Sequence, residues 1–155
     1  MDPEQLMEQA IRAARLGIAM GQAPFGCAIA IGERVLACQH NTVWKTTDAT
    51  AHAEVNAIRR ANLEFGSIHL PAAIVATTCE PCPMCMAALH WSRVETVYFG
   101  ATIADAADAG FNELFVPASS LLQNGGSDVQ LIPDCLRNEC VDLFAEWQAT
   151  GPQAY

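Results

Sequence analysis

Two uninterrupted apolar runs, AAIVATT at residues 72–78 and TVYFGAT at 96–102, place the tightest limit on how this chain can fold. A strand with one wet face alternates apolar and polar residues, so a run without alternation is covered on both faces. Each run is followed by a helix-like stretch, CMAALHWS after the first and ADAADAGFNELFVPASSLLQNGG, read as two short helical pieces around a loop, after the second. Strands interleaved with helices predict an α/β sandwich with a largely central sheet.

The other segments suit that plan. Asp2 is a good N-cap, Pro3 fits a first helical turn and Gln5 stands where a capping-box partner would. A helix is predicted from there to about Gly21, with Leu6, Ala10, Ala14 and Ile18 on its core face. FGCAIAI and RVLACQ, joined by Gly32-Glu33, predict a hairpin, and HNTVWKTTDAT a loop. AHAEVNAIRRANLEFG predicts a helix ending near Gly66. VQLI predicts an edge strand and CLRNECVDLFAEWQAT a closing helix.

At 155 residues and 52% hydrophobic, the chain can bury one core without staples, as a single domain over 1–155. A net charge of −9 with 8 Lys plus Arg lacks the basic face that neutralises phosphates, so nucleic acid is a poor partner. The first residues carry acids where a signal peptide is basic, and no run approaches the roughly 18 apolar residues of a membrane span. A soluble cytoplasmic protein with no membrane partner is expected. Seven cysteines are an odd number, which argues for reduced thiols over a disulfide framework.

Three of those thiols crowd TTCEPCPMC at 77–85, and they need another reason to be there. Cys82 and Cys85, three apart at a predicted helix start, share one face near unsatisfied N–H groups and a positive dipole that favour thiolates. His52 and Glu54, in HAE, open another predicted helix. One imidazole and two thiolates leave a tetrahedral Zn²⁺ neutral with its fourth position open, the pattern of a catalytic site. Water there is acidified, and Glu54, two residues from His52, can shuttle its proton without binding metal. Alone, CxxC signals a redox pair or structural zinc more often, and HxE is near noise. Together, in this order, they form the zinc-deaminase signature. Cys79 is separated from the helical face by Pro81 and the turn, and reads as a packed thiol.

With TAHAEVNAIR and TTCEPCPMCMAALHWSRVETVYFGA in hand, the chain resembles the cytidine/deoxycytidylate deaminase superfamily, and within it the bacterial guanine deaminase branch. The likeness extends to APFGCAIA, NTV, DAADAGFNELF and a final tyrosine. It implies a three-layer α/β/α sandwich around a mixed five-stranded sheet, one zinc per subunit, a homodimer, and hydrolytic loss of an exocyclic amine. It also implies that His52, Cys82 and Cys85 ligate zinc and that Glu54 shuttles protons. Asn41 and the Ala53 N–H would bind the purine, and Phe25 and Trp91 would wall its pocket. In that branch the carboxyl-terminal segment crosses to the partner subunit and its tyrosine closes the site, a role that falls to Tyr155. Where the branch has two aspartates this chain has Asn112-Glu113; Glu113 keeps the acceptor pair a guanine edge wants but is longer by roughly 1.5 Å.

Hydrolysis of guanine to xanthine and ammonia is therefore the leading expectation. The alternatives are another small amino-substituted ring (guanosine, cytosine or an aminotriazine), a tRNA adenosine deaminase, which would need the missing basic residues, and a zinc-containing binding protein without catalysis.

Overall fold

The computed structural model describes residues 1–155. The two apolar runs become adjacent parallel strands, β3 (Ala73–Cys79) and β4 (Thr96–Ala101). The predicted hairpin forms as β1 (Gly26–Ile31) and β2 (Arg34–His40), and β5 (Gln130–Ile132) is the short parallel edge strand. The sheet order is β2-β1-β3-β4-β5, antiparallel on the β1 side of β3 and parallel on the other, hence mixed and five-stranded.

Helices cover both faces. On one side lie α1 (Pro3–Ala19) and α7 (Arg137–Gln148), burying Leu6, Met7, Ala10, Leu143, Phe144 and Trp147. On the other lie α3 (Ala53–Phe65), α4 (Pro83–Trp91) and α6 (Ala118–Gly125), burying Ala57, Ile58, Met86, Leu89 and Leu122. Each fully buried large aliphatic contributes about 1.5–3 kcal/mol of transfer free energy, which is why β3, between two helical layers, carries no polar alternation. Two glycines set how closely the first layer approaches. A Cβ on Gly26 would collide with the Ala10 carbonyl of α1, and one on Gly100 with the Cys140 thiol of α7.

Some local expectations change. The first helix ends at Ala19, Ile18 is only partly buried, and Asp2 makes no side-chain cap. The loop after β2 contains a one-turn helix, α2 (Val43–Thr46), and α4 starts at Pro83, earlier than its apolar run suggests. After β4 the two short helical pieces around a loop form as expected, α5 (Ile103–Asp108) and α6 joined by an irregular segment to Pro117. No helix is long and apolar enough to cross a membrane.

Candidate metal centre and active site

The two motifs meet at the carboxyl end of β3, beside the amino ends of α3 and α4, where open α/β sheets bind ligands. His52 is the N-cap residue of α3 and Cys82 that of α4, both in extended backbone conformation. Pro83 follows at the first helical position, where its missing N–H costs nothing. Thirty residues of chain separate the motifs, yet His52 Nδ1 stands 3.7 Å from Cys82 Sγ and 3.5 Å from Cys85 Sγ.

Those separations decide whether zinc fits. With Zn–S near 2.3 Å and Zn–N near 2.0–2.1 Å, tetrahedral angles put sulfur and nitrogen about 3.5 Å apart. The three ligand atoms all lie within 4.8 Å of one another, and no fourth His, Cys, Asp or Glu belongs to the group. Cys79 is buried, and its thiol donates to the Thr102 carbonyl, as a packed thiol would. The Cys82 thiol is drawn down to about 4, first by the hydrogen bond from Cys85 and, after the opposing effect of burial, by His52. Burial works against a charge on His52, but the Cys82 hydrogen bond and the Glu54 charge outweigh it and raise its pKa.

Glu54, on the first turn of α3, is 6% exposed. Burial raises its pKa despite His52, as suits a group that takes up and returns a proton. The Thr77 hydroxyl of β3 donates to one of its oxygens at 3.0 Å and the Cys85 thiol to the other at 3.5 Å. The orienting Thr77 carries no motif signal; it is found only by knowing that β3 runs under α3.

Phe25, His52, Glu54, Cys82, Glu113 and Tyr155 share one cavity with Cys79 and Glu80. Glu113 is half-buried, its carboxylate accepts no hydrogen bond, and its pKa is raised by burial first and then by Cys82. Asn112 is exposed and faces a wider antechamber beside Met84 and Leu114. Tyr155 covers the cavity of its own chain. Its hydroxyl accepts from Asn41 Nδ2 at 2.6 Å, its ring lies 5.9 Å from His52 and 5.4 Å from Phe111, and its backbone oxygen accepts from Asn112 N–H. Asn41 itself is 1% exposed, its carbonyl taken by Val43 N–H. Ala53 is fully buried at the first position of α3.

Trp91 departs from expectation. It lies nine residues beyond Cys82, about 13 Å along α4, is 74% exposed, and does not line the cavity of its own chain. Two aromatics that motif reading missed pack behind the cavity's own rings without lining it. Phe111 packs edge-on to Phe25 and Tyr155, and Trp44 meets Tyr155 edge-on while its indole N–H donates to Gln153.

A sequence profile of the cytidine and deoxycytidylate deaminase zinc-binding region matches residues 1–101. Guanine deaminase of Bacillus subtilis (strain 168) is 40% identical over 117 residues, 75% of either chain. A solved Bacillus subtilis guanine deaminase superposes on 73% of this chain, and over 73% of its own, with a TM-score of 0.70. Guanine deaminase from Nitrosomonas europaea, 26% identical, superposes on 96% of this chain, over 85% of its own, with a TM-score of 0.86. The tRNA-specific adenosine deaminase of Agrobacterium fabrum is 38% identical over 95 residues, 61% of this chain and 62% of its own. The matched region contains the donor set that fits zinc, and the chain belongs to the cytidine and deoxycytidylate deaminase family, as a hydrolytic deaminase with one zinc ion.

Proposed function

We propose that this deaminase hydrolyses guanine to xanthine and ammonia. One observation carries the reading: Glu113, a carboxylate with both oxygens free, lines the cavity that also holds His52, Glu54 and Cys82. A ring offering an N–H and an amino group side by side matches two acceptor oxygens, and guanine presents that pair at N1 and C2. The 40% identity to a guanine deaminase supports the same choice.

In this reading each side chain has one task. A zinc ion on His52, Cys82 and Cys85 supplies an open position at which water is acidified toward hydroxide. Glu54 takes the proton released as water adds to C2 and passes it to the ring nitrogen, then takes the proton of the added hydroxyl and passes it to the amine, which leaves as ammonia as the C2 carbonyl forms. Glu113 holds the N1–H and amino edge, Phe25 packs against the ring, and Asn41 with the Ala53 N–H binds the opposite edge. Beneath Tyr155 the cavity has about 20 Å³ of room, enough for one water and too little for a purine. Tyr155 must swing out to admit substrate and back to exclude water, exchanging its bond to Asn41 for the base.

The test is a panel of guanine, guanosine, adenine, cytosine and an aminotriazine with zinc-loaded protein, following ammonia release and the ring product. Xanthine from guanine is the expected result; none from fully loaded protein overturns the reading. A tRNA-specific relative at 38% identity makes tRNA adenosine the second candidate. The charge of −9 and the closing tyrosine weigh against it, and salt-sensitive tRNA binding would favour it.

We also propose a homodimer through the α3–α4 side. Leu63, Ile68, Trp91, Leu114 and Phe115 are each more than 65% exposed there, and a second copy would cover them. Sedimentation at micromolar concentration tests the dimer. Crosslinking between the carboxyl-terminal segment and the partner's site tests whether that segment is exchanged.

A further inference from the structure

We infer that Glu80 is a positioning residue for substrate selection, fastening both ends of the segment that carries Glu113. Glu80 lies between Cys79 and Pro81, two residues before the Cys82 ligand, and lines the catalytic cavity. It is not a free base: one oxygen accepts from Ile103 N–H at 3.2 Å and the other from Ala118 N–H at 2.9 Å. Those amides open α5 and α6, where helix N–H groups have no partner within their own helix and favour a negative charge. Pro117, the N-cap residue of α6, provides no side-chain cap, so the carboxylate 38 residues earlier does so.

Between the two amides, α5 is also held by the bonds of Asp105 from Arg137 and Thr102, and it is the part beyond Asn112 that is lightly held. Phe111 anchors it through aromatic contacts and Asn112 N–H reaches the Tyr155 backbone, but the hydrogen bonds of residues 113–117 stay local. Glu113 N–H bonds to Phe111 and Val116 N–H to Leu114. The Glu80 backbone is itself pinned, its N–H donating to the Ala101 carbonyl at 2.8 Å. A single carboxylate thus registers the selecting segment against the turn that carries a zinc ligand.

The inference rests on Glu113 meeting the substrate, and its test separates the two. Steady-state kinetics with guanine are measured for wild type, Glu80→Gln, Glu80→Ala, Glu113→Gln and the Glu80→Ala/Glu113→Gln pair, with zinc content and melting. Glu80→Ala should raise KM about tenfold while kcat changes by less than about threefold. Glu80→Gln, which keeps one acceptor, should fall between. Because Glu80 acts through Glu113, the paired effect should be smaller than the product of the single effects. Amide exchange should quicken in 109–118 of Glu80→Ala and stay unchanged in 53–65 and 83–91. Multiplicative effects, unchanged exchange in 109–118, or a fall in kcat with zinc loss would each overturn the inference. Wild type inactive on guanine sinks the guanine reading alone, because the exchange measurement still decides whether Glu80 fastens the segment.

Discussion

The floor and the rim of the active site are built on opposite terms. On the floor, His52, Glu54, Cys82 and Cys85 stand at the starts of two helices packed on a fully covered strand, and Thr77 and the Cys85 thiol hold Glu54 from below. At the rim, Asn112 to Pro117 and the last residues of the chain are mostly exposed and held by few bonds. The family profile ends at residue 101, so it spans the floor and stops short of both Glu113 and Tyr155. The contrast teaches a division of labour. Residues that need sub-ångström placement sit on rigid elements, and in the proposed reading the choice of ring falls to segments held by fewer bonds.

The largest expected effect probes the floor. Glu54→Gln should lower kcat/KM by about 10²–10⁴-fold, with zinc by mass spectrometry and the melting curve unchanged, since the amide removes a buried acid while keeping its size and an acceptor oxygen. Persistent activity would show that proton transfer does not depend on Glu54. Next comes the joint between floor and rim. Phe111→Ala strips the stack on Trp147 and the edge contacts with Phe25 and Tyr155, and denaturant unfolding should show a loss of about 3–5 kcal/mol. A loss under about 1 kcal/mol would mean the rim is uncoupled from the core.

The rim itself should answer more mildly. Tyr155→Ala should raise KM about tenfold or more at nearly constant melting temperature, while Tyr155→Phe, which loses only the bond to Asn41, should cost about two- to tenfold. Equal effects of both variants would argue that the hydroxyl, and not the ring, closes the site. The smallest effect lies away from both regions. Burial opposes ionisation of Asp105, but its bonds from Arg137 and Thr102 prevail and hold its pKa below the ordinary 3.8. Its stabilising contribution is therefore complete above about pH 4 and lost as pH falls through the depressed value. Asp105→Asn should lower stability by about 1 kcal/mol at pH 6, and the gap to wild type should narrow in thermal melts as pH falls through the depressed pKa of Asp105.

Much of the floor was legible in the chain because its signals are short-range. HAE and PCPMC each occupy one turn of chain, and a helix start fixes where such neighbours point. The central strands were legible because covering both faces leaves an unmistakable apolar run. The rim was harder to read. Trp91 is aromatic and close in sequence to the zinc turn, yet the rise of α4 carries it to the far end. Glu80 looks like a spacer in TTCEPCPMC until Ile103 and Ala118 fold over it. Trp44 sits in what reads as a polar loop, and its partner is 109 residues away.

By itself the sequence determined the sheet's covered strands and the His52, Cys82 and Cys85 set that can hold zinc, because spacing along one chain dictates local geometry. Only the tertiary structure decided that Trp91 stands away from its own chain's cavity and that Tyr155 lies over it. Tertiary structure also decided that Glu80 is a clamp with no free oxygen. Those outcomes depend on which distant backbone amides and rings the packed layers bring within reach, and no local pattern encodes that.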